Sequence, residues 1–238
     1  QILYDDNRPV AALLNELWHG YLDLNQQVRQ INDALRQRGD RFLNDHIALR
    51  TYDRAGIDMA AIETIWMDHG YRACADYHFE AKKLRARHYE HPDGDLPRVF
   101  VSELCCDELS SEAHTLIESL VAQIPADFAA SDRCLCAGRP WQVDVETYER
   151  LAAESEYAGW VAAFGFRANH FTVDVDTLDS FDDIGVLNDW LESAGFALNS
   201  SGGKIKGSAE VFLEQSATLA QAVEVAFDDG VRTMPGCY

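Results

Sequence analysis

From about position 6 to 38, apolar residues recur at spacings of three and four: Val10, Leu13, Leu14, Leu17, Tyr21, Leu22, Leu24, Val28, Ile31 and Leu35. That period predicts helix, stopped at Gly39 and divided, if anywhere, at Gly20. The period then falls to two over 45–52, predicting a strand. Met59, Ile62, Ile65 and Trp66 restore the helical period over 58–68, and Gly70 ends it. Three further strands are predicted over 72–79, 84–90 and 98–104, with the turn residues 91–95 before the last. Residues 111–164 read as mainly helical, broken at Pro125, Gly138 and Pro140. The first pattern then returns. Residues 169–175 alternate, and 182–193 carry Ile184, Leu187, Trp190 and Leu191 before Gly195. Strand candidates follow at 196–200, 211–216 and 223–227, and 234–238 read as an interruption.

The two units keep nearly constant register: His46 lies 124 residues before His170, and Gly70 lies 125 before Gly195. Each half covers only one face of its own sheet, so pairing the halves buries both and leaves a cleft between them. The predicted fold is therefore α+β in one domain spanning 1–238, built from two βαβββ modules that form an open barrel-like sheet. Its regions are an N-terminal helical stretch (1–40), a first module (41–110), a helical insertion (111–165) and a second module (166–238).

Composition narrows the function. Forty Asp and Glu against twenty Lys and Arg give a formal charge of −20, which argues against nucleic acid or anionic membrane as the principal partner. No stretch approaches 18 uninterrupted apolar residues. The chain starts at Gln1 without an apolar leader, so no secretory signal is visible. The six cysteines lack zinc-finger spacing and read as reduced, mostly buried thiols. A cytoplasmic location is the expectation.

Strand alternation places His46, Ala48 and Arg50 on one face of their strand and Ile47, Leu49 and Thr51 on the other. His46 and Arg50 then point into the cleft, roughly 13 Å apart. In the second module His170, Thr172 and Asp174 oppose Phe171, Val173 and Val175. Farther on, Phe212, Glu214 and Ser216 oppose Val211 and Leu213. Three strands thus deliver His46, His170 and Glu214 to one concave surface. Two imidazoles and a carboxylate are the facial ligand set of non-haem Fe(II) sites, leaving three coordination positions on one side.

The segments NDHIALRTY, ANHFTVDV and VFLEQSAT, followed by VEVAFDDGVRTMPGCY, resemble the DUF1338 family of 2-oxoadipate dioxygenase/decarboxylases, of the wider vicinal-oxygen-chelate fold. The resemblance covers most of the chain. It implies an Fe(II) enzyme that converts 2-oxoadipate and dioxygen to 2-hydroxyglutarate and carbon dioxide. It also implies His46, His170 and Glu214 as metal ligands and Arg50 as the grip on a substrate carboxylate. Zn, Ni or Mn are alternative occupants of the purified protein. The chain is shorter than the family's characterised dioxygenases, and the family pattern runs on past Tyr238.

Other features carry less. Residues 202–207, with Lys204 and Lys206, lack a phosphate-loop pattern and read as a loop near the cleft. Arg167, Lys204 and Lys206 join Arg50 as possible sources of positive charge. His69, His78, His88 and His91 read as solvated or structural. Aligning VFVSE with VFLEQ puts Ser102, not Glu103, opposite Glu214, so one metal site is expected. Cys105-Cys106 reads as a buried edge rather than a redox pair. Two rival functions are a metal-dependent lyase, isomerase or hydrolase on the same fold, and a non-catalytic binder of small anions.

Overall fold

A computed structural model describes residue 4, residues 7–208 and residues 213–238. The elements are mixed α and β. Pro9 opens α1 (Pro9–Leu24), which buries Val10, Leu13, Leu14, Leu17, Trp18 and Tyr21. The break before α2 (Gln26–Gln37) falls at Asn25, not Gly20. Asn25 leaves helical geometry at φ −135° and ψ 80°, and its side-chain amide donates to the Tyr21 carbonyl. A side chain that satisfies the orphaned carbonyl makes a better stop than a helix-interior glycine.

The first module forms as β1 (Asn44–Tyr52), α3 (Met59–Asp68), β2 (Arg72–Phe79), β3 (Leu84–Glu90) and β4 (Arg98–Leu104). Asp58 caps α3 by accepting from the Ala61 N–H. The strands lie in the order β2-β3-β4-β1, with β1 and β4 parallel. On β1 the odd residues Ile47, Leu49 and Thr51 are buried, while His46, Ala48 and Arg50 are half-buried on the other face.

The insertion carries α4 (Ser111–Val121), α5 (Val145–Glu154) and α6 (Glu156–Phe164). All residues of α6 after the exposed Glu156 are buried, and the helix clamps the sheet. The Tyr52 hydroxyl donates to the Ala158 carbonyl at 2.7 Å, and that of Tyr157 to the Ser102 carbonyl at 2.7 Å. After α6 the chain turns at Gly165, φ +64°, where a Cβ would run into the Gly138 carbonyl and Arg139. Only glycine fits that turn.

The second module begins with β5 (Ala168–Val173), which pairs antiparallel with β1 and extends the sheet to five strands. Phe171 packs against Trp18 and Tyr21 of α1 at 5.0 and 5.1 Å between rings. The strand stops two residues short of the expected end, because Asp174 caps a 3-10 turn by accepting from the Asp176 N–H. Asp174 is therefore a turn residue, not a cleft residue. Helix α7 (Ile184–Ser193) follows, capped by Asp183.

Two hairpins complete the unit: β6 (Lys206–Ser208) with β7 (Leu213–Gln215), and β8 (Ala222–Phe227) with β9 (Gly230–Pro235). The strand expected over 196–200 is reduced to one bridge, Leu198 to Thr218. Residues 230–235 form a further strand that the pattern did not predict, and Cys237 is fully buried. Val211 and Phe212 lie outside the described residues. Among the described residues, no helix is long and apolar enough to cross a membrane.

Candidate active site

Strands β1 and β5 are neighbours, with His46 paired to Thr172 and Ala48 to His170. That register brings the two imidazoles together. Their Nε2 atoms stand 3.3 Å apart, and the rings meet nearly edge-on at 83°. The other nitrogen of each ring is held by the preceding residue. His46 Nδ1 is 2.7 Å from Asp45 Oδ1, and His170 Nδ1 is 3.1 Å from Asn169 Oδ1. Thr172 Oγ1 lies 3.0 Å from His46 Nε2.

The tautomers follow from the partners. Carboxylate and amide oxygens only accept, so both Nδ1 atoms are the N–H donors, leaving two Nε2 lone pairs facing each other. Two acceptors at 3.3 Å repel unless a shared cation lies between them. The hydrogen bond with His46, and the charge of Arg98 beside it, hold the Asp45 carboxyl below the usual carboxylate range. Burial, with His46 and Arg50 nearby, pushes His170 down to about 3, so it stays unprotonated at neutral pH. The donor set fits a first-row divalent ion: neutral imidazoles with their second nitrogens anchored, as metal-bound histidines are.

The pair opens on a cavity of about 350 Å³. Leu35, Leu178, Leu187, Leu191 and Leu198 form its apolar wall, and Glu214, Lys206, Asn199 and Ser216 supply polar groups. Glu214 sits exposed on β7, opposite Gly207. It faces the same cavity as the two histidines, but the three ligand atoms do not all fall within 4.8 Å of one another. Arg50 is not among the cavity-lining residues. Its guanidinium lies over Tyr157 and Trp160, 4.8 and 5.0 Å from the ring centroids, and 3.5 Å from Glu156. The Tyr238 ring stacks on His170 at 5.0 Å.

Of the other basic residues, Lys206 lines the cavity, whereas Lys204 pairs with Glu192 at 2.7 Å. Arg167 lies elsewhere, in a recess beside Glu16 and His19, its Nε donating to the Phe164 carbonyl. Glu103 is buried, accepts from the Met59 N–H at 2.8 Å and pairs with Arg85, so its work is to hold α3. Asp45 and Asn169 were not singled out in the sequence. Their signal was there: the repeat places an Asx residue directly before each histidine.

Comparison with known proteins decides the family. The 2-oxoadipate dioxygenase/decarboxylase family matches residues 3–137 and 133–238. The chain belongs to that family. A curated Arabidopsis thaliana relative, 2-oxoadipate dioxygenase/decarboxylase, chloroplastic, is 33% identical over 95% of this chain. The chain spans 66% of that relative's length. A Shewanella frigidimarina crystal structure described as a hydrolase superposes with TM-score 0.93 at 45% identity, covering 98% of this chain and 91% of that one. Hydroxyglutarate synthase from Oryza sativa, solved with 2-oxoadipate, gives TM-score 0.90 at 30% identity over 95% and 78% of the two chains. A glyoxalase-superfamily protein from Ralstonia eutropha gives 0.77 at 25% identity over 95% and 79%, which ties the fold to the vicinal-oxygen-chelate group.

Proposed function

We propose that this member of the 2-oxoadipate dioxygenase/decarboxylase family is an Fe(II)-dependent dioxygenase/decarboxylase. Its substrate would be a 2-oxo dicarboxylic acid of the 2-oxoadipate class, and its products 2-hydroxyglutarate and carbon dioxide. The stoichiometry closes without another reductant. The bond between C1 and C2 breaks, C1 leaves as carbon dioxide, C2 gains one oxygen atom of O2 and C3 the other as hydroxyl. The observation that carries the reading is the pair of facing Nε2 atoms 3.3 Å apart at the wall of the cavity.

In this reading His46, His170 and Glu214 hold the ion, which when bound supplies dioxygen activation and a chelating site for the 2-oxo acid. Asp45 and Asn169 fix the imidazole orientations. The leucine wall excludes water from the carbon chain of the substrate. Arg50 is assigned the substrate's far carboxylate. It leaves the same face of β1 as His46, and the aromatic cradle of Tyr157 and Trp160 limits its rotamers.

The test is an oxygen-electrode assay on reduced protein loaded anaerobically with Fe(II), then given 2-oxoadipate or shorter 2-oxo acids. Expected are one O2 consumed per carbon dioxide released, and none with Zn(II). Substituting Arg50→Ala should leave iron content unchanged and raise KM about 10- to 100-fold, the worth of a charged hydrogen bond. Unchanged KM and rate in that variant would remove Arg50 from the site. The Shewanella relative's description favours one second reading, metal-assisted hydrolysis. Turnover with Zn(II) and without dioxygen would establish it instead.

A further inference from the structure

We propose that Cys74, His88 and Glu90 form a second metal site, on the β2–β3 hairpin, for a thiophilic divalent ion of the Zn(II) class. Among the described residues, theirs is the group of three whose ligand atoms lie within 4.8 Å of one another. The proposal does not rest on the reading of the His46–His170 site.

The backbone builds the cluster. His88 and Glu90 are two residues apart on β3 and so share a face. On β2 the pairing slips by one between Ala73 and Ala75, which makes Cys74 the inserted residue of a bulge. A bulge re-aims a side chain that would otherwise alternate to the far face. Here it brings the thiol to the imidazole and carboxylate. The strand is exposed along its whole length, so an ion in solvent has access.

The imidazole is already positioned. It stacks on Phe100, 5.2 Å between centroids and 22° between planes, and its Nδ1 lies 3.1 Å from the Tyr77 hydroxyl. Its Nε2 is left toward Glu90 Oε1, at 3.4 Å. A tyrosine hydroxyl on the second nitrogen is the outer support that metal-bound histidines use. Bringing the ligand atoms to roughly 2.0–2.3 Å from one ion requires a closure of about 1 Å from the present spacing. Exposed side chains make such a movement readily.

Ligand softness selects the ion. A sulfur, a nitrogen and a carboxylate oxygen favour Zn(II) over Mg(II), Ca(II) or Mn(II), and three protein ligands leave a fourth position to water. Binding would release the Cys74 thiol proton, so that thiolate and carboxylate together cancel the ion's two charges. Arg98, whose Nε donates to Glu90 at 3.1 Å, also holds Asp45 at 2.7 Å and keeps that partner when Glu90 turns to the metal. The two sites are distinct, with Phe100 against both His46 and His88.

The experiment is a Co(II) titration of the reduced, metal-free chain, followed by absorbance. A thiolate ligand gives a near-ultraviolet sulfur-to-cobalt charge-transfer band, which a site of two histidines and a glutamate cannot produce. We expect this band within two equivalents, because the His46–His170 site can take up the first, and we expect its loss on adding Zn(II) and its absence in Cys74→Ser and His88→Ala. Substituting Glu90→Gln should weaken Co(II) binding at least tenfold. The band should persist in His170→Ala. No band in the parent chain, a band surviving Cys74→Ser, or a band lost with His170→Ala would each overturn the site.

Discussion

The two modules begin alike and end differently. In the first, β1 to β4 form one continuous sheet, and the residues beneath it, Ile47, Val99 and Val101, are wholly shielded from solvent. In the second, β5 joins that same sheet, and the remaining strands fall into two separate hairpins. Its helix α7 packs into a small cluster of Leu35, Leu178, Phe181, Leu187, Leu191 and Leu198, whose leucines double as the cavity wall. The first module is thus a rigid platform, and the second gives up packing to leave room for a ligand. The histidines repeat the contrast: His46 leans on a charged partner, Asp45, whereas His170 leans on the neutral amide of buried Asn169.

Removing either imidazole tests whether both modules serve one ion. Both His46→Ala and His170→Ala should lower metal retention by more than about 100-fold, since changes one shell farther out already cost about 10- to 100-fold. Iron per chain after desalting measures it. If one variant kept its iron, the two modules would not share a ligand set.

Packing gives the next largest difference. Ile47→Ala empties a site with no exposure and should cost about 3–5 kcal/mol. Leu191→Ala lies at the cavity wall, already 7% exposed, and should fall near the lower limit of about 2 kcal/mol. Urea unfolding of the metal-free chain compares them. Equal losses would mean that the second module is packed as tightly as the first.

This asymmetry also explains what the sequence made legible. All three strands expected after α3 formed at the expected residues, because alternation over a sheet with one buried face leaves a strong period-two signal. The facing of His46, His170 and Thr172 was readable for the same reason. The pattern over 196–200 overstated a strand that is realised only as the Leu198–Thr218 bridge. It also missed β9, where the turn-forming Gly230 and the Pro235 that ends it resemble a loop. The break at Asn25 was missed because it depends on one side chain reaching back to Tyr21. The bulge at Cys74 is invisible to any pattern that assumes unbroken alternation.

The orienting residues should differ by their charge. Asp45→Asn keeps the shape but removes the carboxylate that makes His46 a stronger donor, so metal affinity should drop about 10- to 100-fold. Asn169→Ala removes only orientation at His170, and its loss should sit at the lower end of that range. Competition against a chromophoric chelator reads both. A larger loss in Asn169→Ala would show that burial, rather than charge, governs the pair.

The smallest effect concerns two carboxylates, Glu103 in the first module and Glu214 in the second. Glu214 is exposed at the cavity, while Glu103 is buried beneath α3, and burial raises its pKa above the ordinary 4.5 despite Arg85 at 3.1 Å. Above 4.5 and up to that raised value, the folded chain keeps a proton that the unfolded chain has released. Stability contributed by this group is therefore present below 4.5 and is lost as pH rises through the folded value. Asp45, Asp144 and Glu154 are shifted the opposite way, and they lose their contribution as pH falls through their lowered values. The difference between the parent chain and Glu103→Gln isolates the single site, because glutamine keeps the acceptor for Met59 and removes only the titration. Unfolding midpoints across this range should fall with rising pH more steeply in the parent than in the variant. Parallel curves would place the Glu103 carboxylate in water in the folded state, and α3 would then be held by its packing and the Asp58 cap alone.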